Sequence, residues 1–331
     1  EMVMPSACSR MIQVGLPVAT LNSFFPILEN YSFSYPMGRT EIVKEPIGVC
    51  GFITPWNYPL HQLVGKVAPA LAAGCTMVAK PSQLAPLNAY AFTEIMQEIG
   101  VPPGVFNLVP GAGSKVGYAL SSHPDVDMVS LTGSTKSGIA VAQAAATTIK
   151  RVTLELGGKS PNVLLEDADI PMAVTKGVYN CFLNSGQTCI ALSRMIVPAH
   201  KQKEIVEMAK AIVESMVMGD AFTDGVYLGP MVDDAQRQSV REYIRAGIRE
   251  GATLVTGGPE TPENLPKGFF VKPTLFADVK PDMIIAQEEI FGPVLCIIPY
   301  RTEEEAIAIA NNSVYGLSGS VWSADPEKAR A

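Results

Sequence analysis

The fold is decided by residues 47–80, IGVCGFITPWNYPLHQLVGKVAPALAAGCTMVAK. Residues 48–54 form an apolar run that breaks at Pro55, which predicts a buried strand. Residues 60–73 predict a helix that stops at Gly74, and residues 75–79 predict a second strand. A strand, a helix and another strand in this order are typical of a βαβ unit with parallel strands.

The same alternation continues on both sides of a glycine pair, Gly157-Gly158. Before the pair, the pattern predicts a helix over 87–99 and strands over 105–109, 128–131 and 152–156. After it, the pattern predicts helices near 172–183, 203–216 and 235–250, and strands near 195–197, 253–256, 294–298 and 318–322. The predicted fold class is α/β: a Rossmann-like parallel-sheet domain over 45–158 and a second α/β catalytic domain over 159–331. Residues 1–44 are predicted to be a helical segment and an extended linker.

Composition excludes several classes of function. The chain has 331 residues, 47% of them hydrophobic, which is enough for a large core and excludes a disordered protein. The formal net charge is −7, whereas proteins that bind nucleic acid or anionic membranes usually carry a basic excess. The longest nearly apolar stretch, residues 67–79, is too short to span a membrane. We therefore expect neither nucleic acid nor a membrane as a partner.

The cysteines and histidines point to a reducing compartment without a metal site. The six cysteines are scattered, with no CxxC pair, and the three histidines lie far apart in the sequence. This pattern favours a cytoplasmic protein without a metal. The chain begins with Glu1 rather than Met, and a helix start at Asp325-Pro326 is followed by only five residues. We expect the chain to be part of a longer protein.

Two glycine-rich turns follow predicted strands and could hold a phosphate. Gly111-Ala-Gly113-Ser-Lys-Val-Gly117 misses the dinucleotide fingerprint by one residue, and Gly133-Ser-Thr-Lys-Ser-Gly138 opens a helix. Backbone N–H groups at a helix start attract phosphate. Each turn alone is equally compatible with an ordinary βα connection. Gly157-Gly158-Lys159-Ser160 resembles the end of a P-loop, but the spacing requires glycine where Thr153 stands.

Three residues are candidates for covalent chemistry. Cys189 ends the polar turn Asn184-Ser-Gly-Gln-Thr-Cys189, a setting that can expose and activate a thiol, whereas Cys50, Cys75 and Cys296 lie in apolar runs typical of a core. Glu155 ends an otherwise apolar strand, where burial would raise its pKa towards that of a general base; a strand-end Glu that reaches solvent is the alternative. Asn57 is framed by Trp56 and Tyr58-Pro59, as an oxyanion donor or as a turn residue.

Six motifs occur in the order found in the NAD(P)-dependent aldehyde dehydrogenase family, which the chain resembles from about residue 31 to its last residue. They are Pro55-Trp-Asn57-Tyr-Pro59, Lys80-Pro-Ser82, Gly133-Ser-Thr-Lys-Ser-Gly138, Leu154-Glu-Leu-Gly-Gly-Lys-Ser-Pro161, Gly186-Gln-Thr-Cys189 and Glu288-Glu-Ile-Phe-Gly-Pro293. The resemblance implies an oxidoreductase of the hydrolytic, non-acylating kind, which oxidises an aldehyde to a carboxylic acid.

The resemblance also implies roles for the three candidates. Cys189 would attack the aldehyde to give a thiohemiacetal, while the Asn57 side chain and the Cys189 N–H would hold the oxyanion. Hydride transfer to the nicotinamide would leave a thioester, and water activated by Glu155 would hydrolyse it. CoA-acylating relatives typically lack the base, so Glu155 argues against that subtype.

The implied cofactor is NAD, and the implied contacts are spread along the chain. The cofactor-binding residues would be Ile53, Thr54, Trp56, Lys80, Ser82, Gln83, Gly113, Gly117, Gly133, Ser134, Gly138, Leu156, Glu289 and Phe291. Lys80 would contact the adenosine ribose, Ser134 the pyrophosphate and Glu289 the nicotinamide ribose. Tyr58, Leu183 and Ile190 would line the aldehyde tunnel.

Two positions and the chain's extent depart from the family pattern. Gln83 stands where NAD-preferring members often have Glu, so NADP becomes acceptable as well. Gly65 stands where a bulky aromatic side chain is common, which predicts a roomier tunnel. An N-terminal segment of the cofactor domain and a C-terminal portion with the oligomerisation strand are missing. A homodimer or homotetramer is expected for the full-length protein.

Two other classes of function remain open on the sequence alone. A Cys–His hydrolase would pair Cys189 with His61 or His123, although neither histidine lies in a supporting motif. A catalytically silent or cofactor-binding-only form of the same fold is the other alternative, because parts of the family's chain are missing.

Overall fold

The computed structural model describes residues 4–330, and for Ala7 only the backbone. Residues 1–3 and 331, which fall in the predicted terminal segment and catalytic domain, lie outside the described residues. The chain divides into two compact units, residues 7–156 and residues 157–330 together with residues 4–6. The assignment of separate functions to domains stays a prediction.

The first unit is built on a parallel sheet. Among the described residues, this sheet has five strands in the order β5-β4-β3-β6-β7. Its strands are β3 (Val49–Ile53), β4 (Thr76–Lys80), β5 (Phe106–Leu108), β6 (Met128–Thr132) and β7 (Arg151–Glu155). The main helices are α3 (Pro59–Ala72), α4 (Leu87–Glu98), α5 (Tyr118–Ser122) and α6 (Thr135–Ala146). A wider π-helical turn, Gly113–Gly117, leads into α5.

This sheet is covered on both faces because its strands are apolar on both sides. Phe52 of β3 packs with Leu63 of α3 and Phe92 of α4, whereas the neighbouring Ile53 packs with Leu120 of α5 and Val141 of α6. A parallel sheet needs such two-sided cover. The predicted Rossmann-like α/β class is confirmed.

The chain before β3 is helical and then forms a hairpin. After α1 (Ser6–Cys8), a π-helical segment Ser9–Gly15 continues into α2 (Leu16–Asn30). Strands β1 (Ser34–Met37) and β2 (Thr40–Val43) pair antiparallel, where only an extended segment is predicted from the sequence. Gly38 turns the hairpin with a φ of 62°.

The helical run Ser9–Asn30 is a candidate membrane span that the sequence pattern did not predict. It has 22 residues and a mean hydropathy of 1.4, which satisfies the length and composition of a membrane-crossing helix. One such helix near the N-terminus is weak support for a span, because core helices and signal sequences share this pattern. The expectation of no membrane partner stays a prediction.

The second unit has a mixed sheet, whose described strands run in the order β10-β11-β12-β9-β8-β13. Its strands are β8 (Pro161–Leu164), β9 (Arg194–Pro198), β10 (Thr253–Thr256), β11 (Thr274–Ala277), β12 (Val294–Tyr300) and β13 (Ser320–Trp322). The pair β10 and β11 is antiparallel, and the other pairs are parallel.

Helices cover this second sheet on both faces. They are α7 (Ile170–Phe182), α8 (Gln202–Ser215), α9 (Asp234–Arg249), α10 (Ile284–Gln287), α11 (Glu303–Asn311) and α12 (Pro326–Arg330), with short 3₁₀ turns at Leu183–Gly186 and Ala199–Lys201. Ile297 of β12 faces α7 and α8, and Ile298 faces α9 and α11. The unit therefore has one apolar core on each side of its sheet.

Candidate active site

The first unit contains a cavity of about 700 Å³ beyond the carboxyl ends of β3, β4 and β6. The strand order reverses between β3 and β6, and ligands of such sheets bind at this switch point. Ten of the predicted cofactor-binding residues line the cavity: Ile53, Thr54, Trp56, Lys80, Ser82, Gln83, Gly113, Gly117, Gly133 and Ser134. The volume lies within the range of small-molecule sites.

The lining of this cavity suits a ligand that carries phosphate groups. Among its lining residues there are two lysines, Lys80 and Lys136, and no Asp or Glu. The cavity also reaches the start of α6, where the Ser134 hydroxyl accepts a hydrogen bond of 3.2 Å from the Ser137 N–H. A helix start offers further backbone donors and a partial positive charge to an anion.

Lys80 is fixed in the cavity wall. Its side chain is buried, and Nζ donates to the carbonyls of Pro81 at 2.7 Å and Gly111 at 3.3 Å. Burial lowers the pKa of Lys80. These two bonds hold the ammonium between the end of β4 and the loop after β5. They therefore restrict the Lys80 side chain to one position.

Two predicted cofactor-binding residues of this unit do not line the cavity. A Cβ added to Gly138 would lie 2.7 Å from Leu156 Cδ2, so glycine allows this leucine to pack against α6. Gly138 and Leu156 therefore pack together at the first turns of α6, outside the cavity lining. Their contact with a cofactor stays a prediction.

Asn57 and Tyr58 are both buried in the loop between β3 and α3. The Asn57 carbonyl accepts a hydrogen bond of 2.9 Å from Gln13 Nε2, which ties this loop to the helical segment before α2. The loop is therefore fixed at Asn57, as a role in holding an oxyanion requires.

Glu155 ends the edge strand β7 and is half-buried. Of the two alternatives for this residue, its position fits the strand-end Glu that reaches solvent better than a buried carboxylate, because an edge strand leaves one side of its last residue open. Glu155 pairs in register with Thr132 of β6. Beside this pair, Thr132 Oγ1 donates to Gln62 at 3.1 Å. Lys66 Nζ donates to Ser130 Oγ at 3.1 Å.

Lys66 is the residue of this polar cluster whose pKa is strongly shifted. Burial lowers the pKa of Lys66 to about 8, and the nearby Glu155 acts in the opposite direction. The sequence analysis missed Gln62 and Lys66. Their spacing of four residues on a helix whose other face is apolar was the available signal.

Cys189 of the second unit follows a left-handed turn. Asn184, Ser185 and Gly186 have φ angles of 54°, 55° and 73°. A Cβ on Gly186 would lie 2.1 Å from the Gly292 carbonyl oxygen, so only glycine fits there. Cys189 itself is half-buried, whereas Cys50, Cys75, Cys181 and Cys296 are buried. Of the predicted tunnel residues beside it, Leu183 is half-buried and Ile190 is exposed.

The glycine pair before β8 lies close to two predicted site residues of the second unit. A Cβ on Gly158 would lie 2.5 Å from the carbonyl oxygen of Cys189. The Gly158 N–H donates to Glu289 Oε1 at 3.1 Å. The pair therefore allows close approach of the Cys189 backbone and of the Glu289 carboxylate.

Glu289 and Phe291 lie together in the segment between α10 and β12. Burial raises the pKa of Glu289, while the Gly158 N–H and the Lys159 ammonium act to lower it. Phe291 has a φ of 54°, a strained conformation for a bulky residue. Among residues 4–330, no group of three or more His, Cys, Asp or Glu side chains could hold a metal ion.

The sequence analysis also missed several cavity-lining residues. The structure adds Ser114, Tyr118, Ser121, Lys136, Ser137 and Ala140 to the cavity of the first unit. Most of them lie on the helices that follow the two glycine-rich turns. Residues three or four positions after each glycine-rich turn lie on the same helix face as the turn. This spacing could have predicted them.

Comparison with known proteins places these features in a family. The pattern of the aldehyde dehydrogenase family matches residues 24–331. The chain is 52% identical over 326 residues to a 3-succinoylsemialdehyde-pyridine dehydrogenase from a Pseudomonas species, covering 97% of this chain and 68% of the relative. It is 46% identical over 306 residues to a betaine aldehyde dehydrogenase from Bacillus subtilis, covering 91% of this chain and 61% of the relative.

Solved structures agree in fold. Aldehyde dehydrogenase C from Pseudomonas syringae, in complex with NAD⁺ and octanal, is 50% identical with a TM-score of 0.97, covering 98% of this chain and 67% of that chain. An aldehyde dehydrogenase from Mycobacterium tuberculosis, in complex with NAD⁺, is 43% identical with a TM-score of 0.96. The match covers 99% of this chain and 68% of that chain. The chain spans about three fifths to two thirds of the length of the curated relatives it matches. The predicted aldehyde dehydrogenase-like fold is confirmed, and the chain belongs to the aldehyde dehydrogenase family.

Proposed function

We propose that the protein oxidises an aldehyde to a carboxylic acid with NAD as the hydride acceptor, and that it accepts NADP as well. The observation that carries this proposal is the cavity at the switch point of the first sheet, in a chain that also holds Cys189 after a strained turn. Overall, one aldehyde, one water and one oxidised cofactor give one acid, one reduced cofactor and one proton.

The first unit is the proposed place for the dinucleotide. Lys80 would donate to a ribose hydroxyl, and the start of α6 would hold the pyrophosphate beside Ser134. Gln83 is exposed on the cavity wall and carries no charge, so a 2′-phosphate on the ribose meets no repulsion there. When bound, the cofactor supplies the nicotinamide ring that accepts a hydride.

Cys189 is the proposed nucleophile. Its thiolate would attack the aldehyde carbon to form a thiohemiacetal, and the Asn57 side chain and the Cys189 N–H would stabilise the negative oxygen. The buried, tethered loop around Asn57 supports this role, because a fixed donor needs no reorganisation as charge develops. After hydride loss the carbon remains bound to sulfur as a thioester.

Glu155 is the proposed base for hydrolysis. It would take a proton from a water molecule that attacks the thioester, which releases the acid and restores the Cys189 thiolate. Its half-buried position at a strand end gives water access to the carboxylate. We assign the protein to the hydrolytic, non-acylating subtype for this reason.

Exposed apolar side chains favour association with a second copy of the chain. Phe25 and Ile27 of α2 and Met37 and Val43 of the hairpin are 65%, 48%, 60% and 62% exposed. An apolar surface of this kind marks an interface in many proteins. We propose a homodimer or homotetramer for the whole protein. We also propose a cytoplasmic location, because the six cysteines are scattered along the sequence without a CxxC pair.

Formation of reduced nicotinamide from short, long and aromatic aldehydes tests the proposal. NAD and NADP are supplied separately, after circular dichroism has shown that the chain is folded. Cys189→Ala should abolish turnover, whereas Cys8→Ala, which removes the other cysteine that is not fully buried, should leave it unchanged.

Two outcomes would overturn the proposal. Substrate turnover that needs no cofactor would favour a cysteine hydrolase. Binding of NAD by calorimetry without turnover, in this chain and in the full-length protein, would favour a catalytically silent form.

A further inference from the structure

We propose that Gln187 is a positioning residue for Cys189, which it serves by tying the nucleophile turn to the segment 229–232. The proposal rests on the proposed function, since it assigns Cys189 as the nucleophile. Gln187 lies two residues before Cys189 and is only 2% exposed. Its side chain therefore does not contact solvent and must act through neighbouring protein groups.

The Gln187 amide joins two separate segments of the second unit. Its Oε1 accepts a hydrogen bond of 2.9 Å from the Val232 N–H. Its Nε2 donates to the Asn184 carbonyl at 3.1 Å and approaches the Pro230 carbonyl at 3.5 Å. One planar amide thus bonds both to the turn that precedes Cys189 and to the chain 45 residues further on.

A second bond joins the same two segments. The Ser185 hydroxyl donates to the Gly229 carbonyl at 2.9 Å. Within the turn, Asn184 Nδ2 donates to the Gln187 carbonyl at 3.3 Å. Asn184, Ser185, Gln187 and Gly229 are all buried, and hydrogen bonds are stronger in such an environment than in water.

The turn needs such restraint because its backbone is strained. Asn184 and Ser185 both adopt the left-handed conformation, which is unfavourable for residues other than glycine. Gly186 also lies against the Gly292 carbonyl. The turn therefore contacts both the segment 229–232 and the segment 292–293, and Gln187 fixes the first of these contacts just before the nucleophile.

Hydrogen–deuterium exchange and steady-state kinetics on the same variants test this role. Gln187→Met keeps the side-chain length and removes both the donor and the acceptor. We expect exchange of the peptides covering 184–189 and 229–232 to rise about tenfold, because the bonds of Gln187 to the Val232 N–H and to the Asn184 carbonyl are lost. We expect kcat to fall about 10- to 100-fold while the KM for the cofactor stays within about threefold, because misplacement of a reacting atom affects the chemical step.

Thr274→Val is the matched control. Thr274 is fully buried in the same unit, and its hydroxyl joins the Gly258 N–H and the Lys272 carbonyl. This variant loses a comparable bond, so it should lower thermal stability similarly, but exchange at 184–189 and kcat should stay within about twofold of the parent. If Gln187→Met fails to fold, Ser185→Ala replaces it. This variant loses only the bond from the Ser185 hydroxyl to the Gly229 carbonyl, so its effect should be smaller in the same direction.

Two results would overturn the positioning role. One is loosening of 229–232 without loosening of 184–189. The other is equal effects of Gln187→Met and Thr274→Val on kcat. If neither the parent nor any variant oxidises aldehydes, the proposed function fails, while the coupled exchange of the two segments still decides whether Gln187 holds the turn.

Discussion

Gly158 donates its backbone N–H to the carboxylate of Glu289, at 3.1 Å, although the two residues are 131 positions apart in the chain. The neighbouring Gly157 also lies against this carboxylate, since an added Cβ would be 2.1 Å from Glu289 Oε2. The glycine pair therefore serves two neighbours: a flexible acidic side chain at Gly157, and the Cys189 backbone at Gly158.

Substitution of each glycine should produce different kinetic defects. In Gly158→Ala the new Cβ meets the Cys189 carbonyl, which cannot move without its turn, so kcat should fall about 100-fold. In Gly157→Ala the carboxylate can rotate away, so the KM for NAD should rise while kcat falls less. Steady-state kinetics in both substrates checks this. Gly319→Ala is the control, since its Cβ would meet only ordinary contacts at 3.5 Å or more. The same defect in all three variants would contradict the prediction.

Lys66 should make stability depend on pH. Its pKa is about 8 in the folded chain and 10.5 as an ordinary lysine, so the unfolded state binds the proton more tightly. Lys66 should therefore contribute a rise in the free energy of unfolding, by at most about 3 kcal/mol, as pH increases from about 8 to about 10.5. The buried Cys50, Cys181 and Cys296 thiols, whose pKa is raised by burial, contribute in the opposite direction, so the contribution of Lys66 is the difference between the parent and Lys66→Met. Urea unfolding at several pH values measures this slope.

Lys66→Met should lose this contribution, whereas Lys203→Met on the exposed surface of α8 should show the same pH dependence as the parent. An identical pH dependence of stability in the parent and in Lys66→Met would show that Lys66 is not held in a desolvated position.

Gln83→Glu should separate the two cofactors. The new carboxylate would repel the 2′-phosphate of NADP and accept a hydrogen bond from the 2′-hydroxyl of NAD. We expect the KM for NADP to rise about tenfold or more and the KM for NAD to change by less than about twofold. Gln83→Leu, which has no charge, is the control. Equal shifts for NAD and NADP in Gln83→Glu would show that this residue does not face the ribose.

Gly65 should control the size of the accepted aldehyde. It is exposed on α3, and no atom lies within 4 Å of an added Cβ. Gly65→Trp should lower kcat/KM for bulky aldehydes about tenfold and leave short aldehydes nearly unchanged. Gly65→Ala should stabilise the helix by about 0.5 to 1 kcal/mol without a change in selectivity. Equal turnover of short and bulky aldehydes by the parent and Gly65→Trp would disprove the roomier tunnel.

The parallel sheet of the first unit was predictable because its strands are buried on both faces. Continuous apolar runs such as 48–54 stand out between glycines and prolines, and the structure places β3 at Val49–Ile53. Strand β10 agrees with its predicted range, Thr253–Thr256. Helix and strand ends differ by a few residues elsewhere, because capping and fraying are set by neighbours in space.

Strands β8 and β11 were missed for a physical reason. Strand β8 begins with Pro161 and β11 directly follows Pro273, and a proline within or beside a short apolar run argues against a strand. The left-handed conformation of Asn184 and Ser185 was equally invisible, because those residues are common in many kinds of polar turn. The candidate site was reached through family motifs, and the bonds of Gln187 became apparent only from the contact between distant segments.

The left-handed turn before Cys189 has a consequence for how the protein ages and responds to heat. A segment held away from its relaxed backbone conformation by a few side-chain bonds opens before the sheets that surround it. Mild heating should therefore release the turn while both sheets persist. The temperature of half-inactivation should therefore lie below the melting temperature. Residues 184–189, rather than the apolar cores, then determine how long the protein stays active.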